Sequence, residues 1–421
     1  MKNKIVALIL CCMLCAVYAK TYEVGQGKPY KTIKSVPMLY GGDIVEINSG
    51  TYREYKMWNA NGSEKKPIII RGVGSPVIDG KKLDLQGAGS IPRALFQFTG
   101  SNYVVENIEF INADNTGNWG HNGAGIRITG GKNITIRNCK ITNCENGIMS
   151  DNTANILVEY CEIAYNGSME YVGYSHNLYM GGENMIVRGC YIHDSKGGHN
   201  FKTRMHYVEL LYNFIADANS AEVDLVDAKE TTYSNANAVL IGNVIKKRDG
   251  APKSGVAGNS TQFIIFGDEM KGTRNGTLFL INNTIISGME KNKPILLVSS
   301  SKRSLLKAVC YNNIFFGSSN ILYDELTEAN TTGYNNWIPS DATIPPGFKD
   351  TLQGENPGFV SFSERDYHLN SSSPCLNKGN PAPVYLDEKG NSKSGIPESE
   401  YVKDLQLKAR TNGAQLNIGA Y

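Results

Sequence analysis

The segment ITIRNCKI at 134–141 returns as ILVEYCEI at 156–163 and MIVRGCYI at 185–192, and these three lines decide the fold. Each reads apolar, any residue, apolar, two residues, then Cys, any residue and Ile. With Asn at the Cys place the pattern continues as VELLYNFI (208–215), AVLIGNVI (238–245), LFLINNTI (278–285) and AVCYNNIF (308–315). YVVENIEF (103–110) is a looser, earlier copy. The marker position runs Ile108, Cys139, Cys161, Cys190, Asn213, Asn243, Asn283 and Asn313, at spacings of 31, 22, 29, 23, 30, 40 and 30 residues. Most copies alternate apolar and polar residues, which predicts short strands with one buried face. Parallel strands need a crossover before they can pair. The intervening residues look like further Gly/Asn-punctuated strands rather than helices, so the expected architecture is all-β: a solenoid of about ten coils, three short strands per coil, stacked about 4.8 Å apart. The markers would then form internal ladders, Cys139-Cys161-Cys190 followed by Asn213-Asn243-Asn283-Asn313. Stacked small residues explain those cysteines better than catalysis or metal binding does.

Composition agrees. The chain of 421 residues holds 44 Gly and 43 Asn, both poor helix formers and good turn formers. Charged residues make up 19% and the formal net charge is +2. Nothing here offers the basic footprint that a nucleic-acid partner requires. Lys2 and Lys4 precede an apolar run from Ile5 to Val17 that is too short to span a bilayer, with small residues ending at Ala19. That order predicts a signal peptide cleaved near Ala19 and a secreted, periplasmic or cell-surface protein. Six cysteines remain after it. They are too sparse for a disulfide scaffold, and no two have zinc-site spacing.

The stretches TYEVGQGKPYKTI (21–33), GGDIVEINSGTYRE (41–54) and PIIIRGVGSPVIDG (67–80) resemble the opening coils of secreted right-handed parallel β-helix proteins of the pectate-lyase-like superfamily. DYHLNSSSPCLNKG (366–379) and NIGAY (417–421) are similar to their last coil and tail. The resemblance implies a right-handed parallel β-helix. The expected organisation is a signal peptide over 1–19, a cap and first coils over 20–80 and a central helix over 81–320. The last coils and tail fill 321–421. Lys31–Leu39 would cap the open first coil.

The strand before each marker gives a second alignment. Its inward residues are Ile126, Ile148, Leu178, Phe201 and Val223, and one residue on, the outward column reads Arg127, Met149, Tyr179, Lys202, Asp224. One residue before lie Gly125, Gly147, Asn177, Asn200 and Glu222, while His176 stacks over His199. By strand alternation Asn200, Lys202 and Arg204 share a face with Glu222 and Asp224. Asn200, Glu222 and Asp224 are candidate ligands of a Ca²⁺ ion, which prefers carboxylate and amide oxygens. The plainer alternative is a surface ion-pair ladder.

Such a cluster suits β-elimination of an acidic polysaccharide. The uronate carboxylate is neutralised, a base removes the C5 proton and an acid protonates the departing oxygen. Lys202 is a candidate base if Arg204 lowers its pKa, though Asp224 pulls the other way; Tyr179 and His176 are alternative proton carriers, and Arg204 is a candidate carboxylate binder. Asn177, His199, Trp119 and Tyr174 are candidate substrate contacts, with Tyr165 and Tyr171 on nearby loops. Alginate lyases and chondroitinase B resemble this region in one motif, two Glu two apart and a catalytic Lys five residues later. Glu222-x-Asp224 and Lys229 match the spacing, and the resemblance would make Lys229 the base. Asp224 replaces the second Glu, and no Arg occurs in Thr261–Glu269 where the family's would be sought. His121, His193, His206 and His368 read as structural. A glycoside hydrolase and a non-catalytic glycan-binding or surface protein are the rival readings, and a monomer with no membrane span is expected.

Overall fold

A computed structural model describes residues 19–87, 91–115, 123–170, 172–248, 263–267, 269, 274–299, 306–323, 330–413 and 415–421. The expected signal peptide, 1–19, therefore lies outside the described residues apart from Ala19. The protein is a parallel β-helix. A nine-stranded parallel sheet forms one face, and two further columns of parallel strands, assigned together as a 23-stranded sheet, form the other two. Among the described residues no helix is long and apolar enough to cross a membrane.

The repeat sets the corners of each coil. The residue just before the marker takes a left-handed backbone in one coil after another: Asn107 (φ 59°), Asn138 (φ 51°), Tyr160 (φ 53°), Gly189 (φ 61°), Tyr212 (φ 55°), Gly242 (φ 65°), Asn282 (φ 52°) and Asn312 (φ 57°), six of the eight being Asn or Gly. Asn and Gly tolerate that conformation best, which is one reason the chain is rich in both. The marker Asn side chains then form the expected internal ladder. Asn213 Nδ2 donates to Asn243 Oδ1 at 3.0 Å, Asn243 to Asn283 at 2.9 Å and Asn283 to Asn313 at 3.0 Å. One further rung, Asn313 to Asn336 at 3.0 Å, extends it. The six cysteines among the described residues are all buried free thiols.

One feature departs from the sequence expectation. The coils are not all buried on one face only: Ala238–Ile241 and Val244–Lys246 are buried throughout. The reason lies far along the chain. After the last coil strand at Leu352–Gly354, the tail folds back along the outside of the solenoid in three antiparallel hairpins. Tyr385 packs with Tyr207, Val239 and Ile281; Phe359, Tyr401 and Ile418 pack with Phe214, Val244 and Ile314. Burial of such side chains stabilises by roughly 1.5–3 kcal/mol each, so the tail is part of the core. At the other end Ile33, Val36 and Leu39 join the main core, as a cap on the first coil requires.

Candidate active site

The nine-stranded sheet has the register read from the sequence. Ile126, Ile148, Leu178, Phe201 and Val223 stack as inward residues, and Arg127, Met149, Tyr179, Lys202 and Asp224 as their outward neighbours. Ile265 continues the outward column one coil later. Consecutive rungs thus put Tyr179, Lys202 and Asp224 side by side.

Lys202 Nζ donates to Asp224 Oδ2 at 2.7 Å and to Glu269 Oε1 at 2.9 Å. Arg204 is the second hub. Its Nε donates to the Tyr179 hydroxyl at 3.1 Å, one terminal nitrogen to the Asp227 carbonyl at 2.6 Å, and the other to Glu269 Oε2. Asp227 in turn fixes Glu269, accepting its backbone N–H at 2.6 Å. One carboxylate therefore bridges a lysine and an arginine.

The two histidines lie beneath this cluster. Their rings stack 4.9 Å apart at 19°. His176 Nδ1 accepts the His199 N–H at 3.1 Å and His199 Nδ1 accepts the Ala221 N–H at 3.0 Å. A nitrogen that accepts carries no proton, so each neutral ring holds its proton on Nε2. His199 Nε2 lies 3.3 Å from Asp224 Oδ2. Burial, with Lys202 adding repulsion, holds both imidazoles well below their usual pKa. His176 sits edge-on to Tyr179 at 5.3 Å.

Several sequence expectations change here. Burial alone would discharge Lys202, but the Asp224 and Glu269 carboxylates outweigh it and raise its pKa. An ammonium held this way is an electrostatic group rather than a base; the sequence set Arg204 against Asp224 as the opposing neighbours, and the structure sides with Asp224 and adds Glu269. Asp224 itself is pushed up by burial while Lys202 pulls it back. Lys229 heads a short 3₁₀ turn, Glu230–Thr232. It is exposed and makes none of the contacts that join the cluster, so spacing alone does not make it the base.

The expected shared face of Asn200, Glu222 and Asp224 also fails. Asn200 and Glu222 precede the strands Phe201–Thr203 and Val223–Val226, so they occupy a corner where strand alternation no longer applies. There they form a fully buried second ladder. Asn166 Nδ2 donates to Asn177 Oδ1 at 2.9 Å, Asn177 to Asn200 at 2.7 Å, and Asn200 to Glu222 Oε2 at 2.6 Å. Lys247 Nζ ends the row, 3.8 Å from Glu222 Oε1. Asn177 is thus internal and not a substrate contact, and the plain surface ion-pair ladder is equally excluded for Glu222.

The donor set does not fit a calcium ion. Asn200 Oδ1 and Glu222 Oε2 are engaged with each other's ladder, and Asp224 Oδ2 is held by an ammonium. Among the described residues no group of three or more His, Cys, Asp or Glu is arranged to hold a metal.

Of the aromatic candidates, Tyr174 is 75% exposed and Tyr165 42% exposed. Trp119, Tyr171 and His121 lie outside the described residues. The residue that sequence reasoning missed is Glu269. It follows the strand Ile264–Gly267 by two positions, beyond the part of the coil where alternation assigns a face. Arg274, farther along the chain, is fully buried and donates to the Val226 carbonyl at 3.0 Å, a structural contact.

A right-handed β-helix family, described as "Right handed beta helix region", matches residues 93–179. Among solved structures the chain is similar to the pectate lyase Pel9A, at 15% identity over 96% of this chain and 97% of that one, with a TM-score of 0.61. It also matches an alginate lyase from Paenibacillus sp. str. FPU-7 at 13% identity, covering 80% and 98% of the two chains, with a TM-score of 0.49. A rhamnogalacturonan lyase matches at 14% identity, covering 84% and 96%, with a TM-score of 0.46. No curated protein matches by sequence. The chain thus has the right-handed parallel β-helix fold of pectate-lyase-like proteins.

Proposed function

We propose that this right-handed β-helix is an exported polysaccharide lyase that cleaves a uronate-containing glycan by β-elimination at the Tyr179–Lys202–Arg204 cluster. One observation carries the reading: the Glu269 carboxylate bridges Lys202 and Arg204, in the way a uronate carboxylate would on displacing it. Glu269 is the exposed partner of that arrangement, while Lys202 and Arg204 are held from behind by Asp224 and the Asp227 carbonyl. The likeness to pectate lyase Pel9A supports the scaffold, not the activity.

The chemistry follows from the charges. With Lys202 and Arg204 on the uronate carboxylate, negative charge developing at C5 spreads into a neutralised group, and the C5 proton becomes removable. Tyr179 stands beside Arg204 with a hydroxyl that can shuttle a proton. As phenolate it takes the C5 proton, the C5–H electron pair becomes the C4=C5 double bond, and the C4–O4 pair leaves on oxygen. The phenol then returns the proton to that oxygen. His176 and His199 are neutral and buried; they support Tyr179 and Asp224 rather than titrate. A hydrolase would need one carboxyl group to activate water, but Asp224 and Glu269 are tied to cations and Asp227 is held by the Glu269 N–H with Arg204 4.0 Å away.

The test is incubation of the mature protein with pectate, alginate, chondroitin and rhamnogalacturonan. An ultraviolet-absorbing unsaturated end group, lost in Tyr179→Phe and in Arg204→Ala, is the expected result. New reducing ends without that absorbance would establish hydrolysis instead, and binding without cleavage would establish a passive glycan-binding protein.

A further inference from the structure

We propose a second carbohydrate site, a groove between the third strand column and the C-terminal hairpins that binds a neutral oligosaccharide. It is independent of the lyase reading. The groove encloses about 940 Å³, near the upper end of the roughly 300–1,000 Å³ typical of ligand sites. Its floor comes from the strands Glu162–Ala164, Tyr191–His193 and Phe214–Ala216. Its walls are the tips of two tail hairpins, around Arg365 and Asp404, and the chain end at Tyr421.

Three observations specify the ligand. First, flat rings line it in pairs: Tyr191 stacks on His193 at 3.8 Å and 20°, and His368 on Tyr421 at 3.9 Å and 27°. Tyr165, half-exposed at the rim, meets His193 edge-on at 5.3 Å. Aromatic faces accept the C–H faces of sugars while their polar tips stay hydrogen-bonded. Second, the lining carries four carboxylates, Glu162, Glu364, Asp366 and Asp404, against the cations Arg365 and Lys403. Arg365 is already paired with Asp217 at 2.6 Å and Glu162 with Lys140 at 3.0 Å, which leaves Glu364, Asp366 and Asp404 against Lys403. That balance repels a uronate and favours hydroxyl groups, which donate to carboxylates.

Third, a buried polar atom in the floor lacks a partner. The His193 side chain is 6% exposed, and its Nδ1 lies 2.8 Å from Asp194 Oδ2. Its Nε2 has no hydrogen-bond partner, because Glu162 Oε1 is 3.7 Å away, beyond hydrogen-bond reach. A sugar hydroxyl at that gap would bond both atoms. His193, with Lys140 assisting, also draws the Glu162 carboxyl below its usual pKa despite partial burial. Glu162 is therefore an ionised acceptor at the groove floor.

Titration of the full mature protein with xylohexaose, cellohexaose and mannohexaose, followed calorimetrically with hexagalacturonate as the acidic comparison, tests this. At least one neutral hexasaccharide is expected to bind at one site, more tightly than hexagalacturonate. Glu162→Gln should weaken it at least tenfold and Tyr165→Ala severalfold, with unchanged melting temperatures, while Arg204→Ala has no effect. The proposal is overturned if none of the three binds, if hexagalacturonate binds this groove more tightly, or if affinity follows Arg204 and ignores Glu162 and Tyr165.

Discussion

Glu269 places one carboxylate oxygen 2.9 Å from Lys202 Nζ, while its other oxygen accepts from Arg204. A carboxylate of the chain itself thus sits between the two cations that the proposed reaction needs. Removing it clears the place for a substrate carboxylate. Glu269→Ala is expected to lower KM for the cleaved uronide about two- to fivefold, the equivalent of up to about 1 kcal/mol for a partly exposed ion pair. Steady-state kinetics check this, and a fall in kcat of tenfold or more would show that Glu269 has a direct role instead.

Tyr179→Phe removes one hydroxyl that accepts from Arg204 Nε at 3.1 Å and leaves the ring. Loss of a positioned proton carrier should reduce kcat by about 10²–10⁴ with KM little changed. Thermal melting, expected to be unaltered, separates that outcome from unfolding.

The stacked histidines make stability acid-sensitive. Both have pKa values held well below the usual value by burial, whereas in the unfolded chain they protonate near 6.5. The unfolded state then binds more protons, so their contribution is present above about pH 6.5 and is lost as pH falls below it. Each histidine should contribute a slope of up to about 1.4 kcal/mol per pH unit below pH 6.5. His199→Asn keeps an acceptor for the Ala221 N–H and should remove one such slope between pH 6.5 and 4.5, read from denaturant unfolding at each pH.

The Asn ladder carries a stability prediction. Asn243 donates to the Leu210 carbonyl at 2.8 Å and to Asn283, and accepts the Asn213 N–H at 2.9 Å. Asn243→Ala leaves those buried groups unpaired, each costing about 1–3 kcal/mol. The melting temperature should fall sharply, whereas Asn412→Ala, at an exposed tail position, should leave it nearly unchanged.

The thiols should be inert while the chain is folded. Burial pushes Cys144 and Cys375 up to about 12 and Cys139 and Cys161 well above the usual thiol value. Iodoacetamide at pH 8 is expected to label none of the six until denaturant is added, as mass spectrometry would show.

How much of this was legible beforehand depends on distance along the chain. The solenoid, its ladders and the register of Tyr179, Lys202 and Asp224 follow from a repeat, since stacking places equivalent positions next to each other and side-chain direction alternates within each strand. Neighbouring-rung contacts were therefore readable from spacing alone. Alternation stops where a strand stops, which is why Asn200 and Glu222 proved internal and why Glu269, two residues past its strand, went unseen. Lys229 matched a spacing but lies on a turn that spacing does not describe.

The coil, its Asn and Gly corners, and the coils that carry the polar cluster were thus legible in the repeat, because each rests on contacts between equivalent positions of adjacent coils. The second carboxylate on Lys202, that of Glu269, 67 residues away, and the groove beneath the tail came only from tertiary contacts. The tail hairpins reach strands from which no repeat offset leads, so burial and charge at Glu162 and His193 are set by contacts that local pattern does not encode.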